Sequence, residues 1–312
     1  VASALVFAGH SFVGRPLCRA LRERGVRVTA TARGPARPAD AVACDLARPG
    51  EVEAVVERHR PDLVVQCAGA TRGNDPSALY GLHVGGTVAL LSAVARHAPA
   101  ATVLLLGSAA EYGPVPPERL PVSEDTPEAP VTLFGASKLA QTHLARAAAA
   151  EWGLRVLTAR PFNVIGPGLP EHYFAAALAR RLMRQRAEGG PAEFPVANLP
   201  ATRDFVDVRD LADALVSLLA QAAPARGEAA VYNVASGVET PLAEVAAELG
   251  RLAGGLRPVD GGAGGSRGGI TRSCGDAGRL HRATGWAPRR SWRESIADLW
   301  ASLKDADDRA AA

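Results

Sequence analysis

The chain has 312 residues, 35 Lys and Arg against 32 Asp and Glu, and a formal net charge of +3. That near balance, without long basic runs, excludes nucleic-acid binding and a polybasic membrane anchor as first readings. A content of 47% hydrophobic and 21% charged residues excludes wholesale disorder. No apolar stretch approaches the roughly 18–20 residues that cross a bilayer. Cys18, Cys44, Cys67 and Cys274 are dispersed with no C-x-x-C pair, and no histidine spacing fits a metal. The expectation is a soluble, cytoplasmic protein without a metal, whose numbering starts at Val1 inside a trimmed chain.

Residues 4–8 form a short apolar run, a glycine turn follows, and 15–24 carry apolar residues at helical spacing, so the chain opens as strand, turn, helix. The unit recurs: strands over 26–31, 62–67, 103–106 and 155–159, helices over 49–59, 80–95 and 135–151. Strands apolar along their whole length and alternating with helices imply a parallel sheet covered on both faces. The fold class is therefore α/β, a doubly wound parallel sheet of the Rossmann type with a smaller C-terminal substrate lobe. Residues 1–165 together with about 204–235 are assigned to the dinucleotide-binding domain, and 166–203 with 236–312 to the substrate lobe. Helices are expected over 207–219 and 241–252, and the glycine-dense stretch 254–269 is expected to be a mobile loop.

In such a sheet the first strand-to-helix turn holds a dinucleotide pyrophosphate, because backbone N–H groups and the helix N-terminus favour an anion. Here the turn reads Ala8, Gly9, His10, Ser11, Phe12, Val13, Gly14, with alanine and serine at two of three glycine positions. Ser11 either limits the approach of the phosphates or donates its hydroxyl to one. After the second strand stands Ala32-Arg33 in place of a carboxylate, a substitution that suits a ribose 2′-phosphate and favours NADP(H) over NAD(H). Asp45 and Leu46 are placed near the adenine, and Ala68 and Gly69 beside the dinucleotide path.

The run LLLGSAAEYG…PVSEDTPEAP…VTLFGASK over 104–138 carries a resemblance. So do ARPFNVIGPG (159–168), TRDFVDVRD (202–210), YNVASG (232–237) and GDAGRLHRATGW (275–286). Together they resemble the extended short-chain dehydrogenase/reductases that act on nucleotide sugars, nearest to the reductases of GDP-4-keto-6-deoxymannose. The resemblance covers most of the chain in the family's order. It implies Ser108 as the hydroxyl that binds the reacting carbonyl and Lys138 as the residue that holds the nicotinamide ribose and favours ionisation of the acid/base. It also implies a homodimer packed through the helices over 80–95 and 135–151, with the alanine run 145–150 as a close-packing surface.

The family's acid/base tyrosine falls at position 134, which here is Phe134. A phenyl ring has no proton for the developing alkoxide, so the site is either crippled by a Tyr→Phe exchange or uses another donor. His83, standing where the family has an asparagine, is a candidate for that donor. Dehydratases of the family place a carboxylate directly after the active-site serine; here Ala109 and Ala110 follow it, and Glu111 is expected to face the other side. What remains is NADPH-dependent reduction of a keto group on a nucleotide-activated deoxysugar. Epimerisation, reduction of another natural-product ketone and a non-catalytic cofactor-binding scaffold stay open. The resemblance places Asn163 and Arg203 on the substrate diphosphate, Asn198 near the base, and Arg267 as a third contact.

Overall fold

The structure is a computed structural model describing residues 1–34, 37–69, 76–262 and 270–311. The first strand, β1 (Ser3–Phe7), has no polar alternation and is buried from Ala4 onward. It lies within a seven-stranded parallel sheet. The partners are β2 (Arg27–Ala32), β3 (Val42–Ala43), β4 (Leu63–Gln66), β5 (Thr102–Leu106), β6 (Arg155–Pro161) and β10 (Ala229–Val234), in the order β10-β6-β5-β4-β1-β2-β3. The order reverses between β1 and β4, the switch point outside whose carboxyl ends an α/β sheet opens a crevice.

Successive strand residues point to opposite faces, and the two cores follow that period. Val6, Val65, Leu104 and Leu157 pack against α1 (Gly14–Glu23) and α7 (Val208–Gln221) through Leu17, Leu21, Leu211 and Leu215. Their neighbours Leu5, Phe7, Val64, Val103, Leu105 and Val156 pack on the other face. There they meet α2 (Pro49–His59), α4 (Gly86–His97) and α5 (Leu133–Trp152). Helix α4 continues α3 (Pro76–Tyr80) through a π turn at Gly81–Gly85. The composite Pro76–His97 is long and apolar enough, by length and composition, to cross a membrane, which corrects the expectation that no stretch is. Its Leu90, Leu91 and Val94 are buried in the sheet-facing core. In the alanine run of α5, Ala145, Ala148 and Ala149 belong to that core, while Ala147 and Ala150 stay exposed.

Beyond β6 the chain builds smaller sheets. Strands β7 (Asn163–Ile165), β9 (Thr202–Asp207) and β11 (Glu239–Pro241) form one, and β8 (Glu193–Val196) pairs in parallel with β12 (Arg257–Asp260). Helices α6 (Phe174–Ala187), α8 (Leu242–Leu252) and α10 (Trp292–Ala311) share a core with them around Leu182, Phe194, Leu249 and Leu299. The stretch read as a mobile loop therefore contains a strand, held by its ladder to β8. Helix α9 (Gly278–Thr284) and Trp286 return to the larger lobe, where the Trp286 indole donates to the Asp210 carbonyl at 3.1 Å.

Candidate active site

The turn after β1 shows which glycines the backbone requires. A Cβ on Gly14 would stand 2.2 Å from the Ala8 carbonyl oxygen, and one on Gly9 would stand 2.7 Å from the Ala30 Cβ, so neither position admits a side chain. Ala8 occupies the left-handed region at φ 56°, a conformation that favours glycine. Ser11 has found a local use: its Oγ accepts the Gly14 N–H at 3.1 Å, while its own N–H donates to the Ala8 carbonyl at 3.0 Å. Ser11, Phe12 and Val13 line a cavity of about 480 Å³ beside the switch point.

Arg33 stands exposed at the end of β2, and Arg37 rests on the Gly34 carbonyl. Asp45 accepts the Ala47 N–H at 3.0 Å, and Leu46 packs so closely on Gly86 that a Cβ there would meet it at 2.8 Å. Ala68 packs against the α2/α4 core, while Gly69 reaches the cavity wall.

The centre of the cavity is built at the carboxyl end of β5. Ser108 begins a 3-10 turn over Ala109–Glu111, accepting the Ala110 N–H at 3.1 Å, while Glu111 Oε1 accepts the Ser108 N–H at 2.9 Å. Glu111 is fully buried behind this turn, where its carboxylate also takes the Thr142 hydroxyl and Arg160 Nε, each at 2.8 Å. Burial raises its pKa, opposed by Arg160. Ala109 and Ala110 line the cavity in its stead.

Helix α5 carries Phe134 and Lys138 to the same wall. Lys138 Nζ donates to the Leu106 carbonyl at 2.7 Å and to Gln141 Oε1 at 3.0 Å. Burial brings its pKa down to about 8. His83, in the π turn, stands edge-on to Phe134 with ring centroids 5.7 Å apart. The Ser137 hydroxyl donates to the Phe134 carbonyl at 2.8 Å, and its oxygen is hydrogen-bonded to His83 Nδ1 at 2.8 Å. Burial, reinforced by Lys138, holds the His83 pKa down at about 3. The ring thus stands beside Phe134 with its pKa held well below neutrality.

On the substrate side, Asn163 and Arg203 line the cavity. Asn163 donates its amide to the Asp204 carbonyl at 3.2 Å. Arg203 donates to the carbonyls of Thr202 at 2.7 Å and Ile270 at 3.0 Å, and no carboxylate pairs with it among the described residues. The neighbouring acids are engaged elsewhere. Asp204 accepts the Ser236, Gly237 and Gly275 N–H groups, and Asp207 is paired with Arg209 at 2.8 Å. Asn198 sits in the turn after β8 at φ 62°, with its N–H toward the Gly262 carbonyl, and among the described residues it is not on the cavity wall. Arg267 lies outside the described residues.

Several wall residues had no sequence signal. Tyr112 is buried, its hydroxyl donating to Asn233 Oδ1 at 2.7 Å, and His172 and Tyr173 enter from the segment before α6. Arg272 also lines the cavity, held to the Glu239 carboxylate by two contacts of 2.6 Å. Such residues follow no fixed spacing from the motifs, and only tertiary folding brings them together.

Relatives match over nearly the whole chain. The dTDP-6-deoxy-L-talose 4-dehydrogenase (NAD(P)(+)) of Kitasatospora kifunensis is 33% identical over 98% of this chain and 96% of its own length. The GDP-6-deoxy-D-mannose reductase of Pseudomonas aeruginosa is 34% identical over 76% of this chain and 78% of its own. The solved structure of RMD from Pseudomonas aeruginosa complexed with NADPH is 29% identical and superposes with a TM-score of 0.85, covering 98% of this chain and all of that one. Residues 4–235 match the NAD dependent epimerase/dehydratase family, and with that span and those identities the chain belongs to it.

Proposed function

We propose that this protein reduces a keto group on a nucleotide-activated deoxysugar with NADPH. The observation that carries the reading is one cavity lined by Ser108, Lys138 and Arg203, which has no acidic partner among the described residues. The turn fits a dinucleotide, since Gly9 and Gly14 leave no room for side chains and allow close backbone approach. Arg33, exposed at the ribose end of β2, suits a 2′-phosphate. Bound NADPH supplies the hydride.

The chain's own residues bind and orient the substrate. The Ser108 hydroxyl, set by the turn that Glu111 closes, donates to the carbonyl oxygen, and Lys138 brings a positive charge to the same wall. Ala109 and Ala110 cannot move a proton and Glu111 is sealed behind them, which argues against dehydration. Arg203 offers a bidentate fork to the diphosphate, with Asn163 alongside it. Both curated relatives act on 6-deoxyhexoses carried by a nucleoside diphosphate, as their names state. A homodimer through α4 and α5 belongs to the same reading, and light scattering measures it.

The test is NADPH oxidation by the purified protein with GDP-4-keto-6-deoxymannose and with its dTDP-linked 4-keto-6-deoxyhexose counterparts. Arg203→Ala should weaken nucleotide-sugar binding by on the order of 2–5 kcal/mol while sparing NADPH. Equal weakening of both ligands would assign Arg203 to the fold.

A further inference from the structure

With a phenyl ring at position 134, the alkoxide formed as the carbonyl is reduced needs another acid. The neighbouring groups are committed. Tyr112 donates its hydroxyl to Asn233, Glu111 is locked by Ser108, Thr142 and Arg160, His83 is tied to Ser137 through Nδ1 with its pKa held down, and the Cys67 thiol is buried with its pKa pushed far up. Resting on the reductase reading above, we propose that Lys138 itself delivers the proton: an Nζ–H bond breaks as the product O–H forms, and the neutral amine regains its proton from solvent.

The geometry favours this group. Nζ bonds the carbonyl of Leu106, two residues before Ser108, so the ammonium sits at the strand end where the substrate carbonyl is held. A lysine ammonium has three donors. Among the described residues Leu106 and Gln141 take two, and in this reading the third serves the substrate oxygen in the cavity that Lys138 lines. A Cβ at position 69 would lie 3.8 Å from Nζ and 3.7 Å from His83 Nε2, so Gly69 stands directly beside both.

Burial makes the ammonium a competent acid, with its pKa down at about 8, against the opposing pull of Glu111 and Cys67. Arg160 stands behind Glu111, and His83 faces Lys138 from the π turn as a neutral ring. Across the cavity stand Arg203, His172 and Tyr173. A protonated acid is needed for reduction and a neutral amine for the reverse oxidation. Reduction should therefore fall, and oxidation rise, as pH increases through about 8.

The experiment measures both directions from about pH 6 to about pH 10, together with NADPH affinity, in the parent, Lys138→Arg and Phe134→Tyr/Lys138→Arg. An arginine keeps the positive charge but holds its proton at every accessible pH. The expected result is a loss of about a hundred-fold in Lys138→Arg turnover with NADPH affinity within a few-fold, and recovery in the double variant, where the phenol supplies the proton. A pH-independent parent rate, or Lys138→Arg turning over like the parent, overturns the proposal. So does a pH break that persists in Lys138→Arg and vanishes in His172→Gln or Tyr173→Phe, which would place the donor on the other lobe. A parent that binds NADPH without reducing any keto sugar, beside an active Phe134→Tyr, overturns the Lys138 role and leaves the reductase reading standing. If Phe134→Tyr is inactive as well, both fall.

Discussion

The turn after β1 and the start of α5 border the same cavity, and both depart from the motifs the chain resembles. At the turn the replacements are absorbed locally. Ser11 uses its hydroxyl to cap Gly14, and the turn's glycines, Gly9 and the motif's remaining Gly14, are those where a Cβ would strike backbone or a packed side chain. At α5 the helix geometry is kept, with Thr132 accepting the Gly135 N–H at 3.0 Å and Lys138 seated against β5, while Phe134 contributes no proton. A turn is a matter of space and hydrogen-bond partners, which a different residue can supply. An acid/base is one atom in one place, and losing it changes the chemistry without disturbing the fold.

The largest expected effect follows from that asymmetry. Phe134→Tyr should raise turnover of a 4-keto nucleotide sugar by roughly ten- to hundred-fold, the low end of what a positioned general acid gives, because Lys138 already supplies a proton. It should do so with little change in NADPH affinity. An unchanged rate in an active parent would mean that the resident donor already meets the demand, and the contrast between the two departures would lose its functional side.

At the cofactor end the expected effect is smaller and concerns selectivity. Arg33→Ala should narrow the preference for NADPH over NADH by about tenfold, because an exposed guanidinium holds a phosphate through a screened contact. Calorimetric titration with both cofactors measures it. Equal affinities in the parent would remove Arg33 from the site.

The two regions also differ in how much the sequence disclosed. The alternation of uninterrupted apolar strands with helices was enough for the doubly wound sheet, because burial on both faces writes itself into consecutive residues such as Leu5, Val6 and Phe7. The motifs were enough to bring Ser108, Lys138, Asn163 and Arg203 to one cavity. Strands β8 and β12 escaped notice since each is four residues long with a proline inside, and only their mutual ladder makes them strands. The protonation state of His83 was equally hidden. It depends on burial and on Lys138, which only the folded chain brings close to the ring.

His83 supplies a signed test of the region around position 134. The ring stays neutral in the fold down to about 3 but is protonated in the unfolded chain below its ordinary 6.5. Between those values the unfolded state binds the extra proton, so stability is lost as pH falls, by about 1.4 kcal/mol per pH unit for this one group. His83→Asn should remove that slope from a series of denaturation curves. Parallel curves for parent and variant would show that the ring is charged in the folded protein, and would restore it as a proton donor beside Phe134.

The smallest effect tests whether the turn's accommodation is complete. Ala8 holds φ 56°, where an L side chain crowds its own carbonyl and a glycine does not. Relief of that crowding by Ala8→Gly is worth roughly 1–2 kcal/mol. Freeing the unfolded chain takes back about 0.4–1 kcal/mol. The net expectation is a gain of about 0.5–1 kcal/mol, read as a shift in urea midpoint at constant m-value. NADPH affinity should rise slightly or stay level, since the carbonyl that Gly14 approaches and Ser11 bonds keeps its place. A destabilised variant would mean that the left-handed residue costs the native turn nothing, and that the alanine is held there by contacts worth more than its strain. Both departures would then be neutral to the fold, and the contrast between them would rest on the chemistry of Phe134 alone.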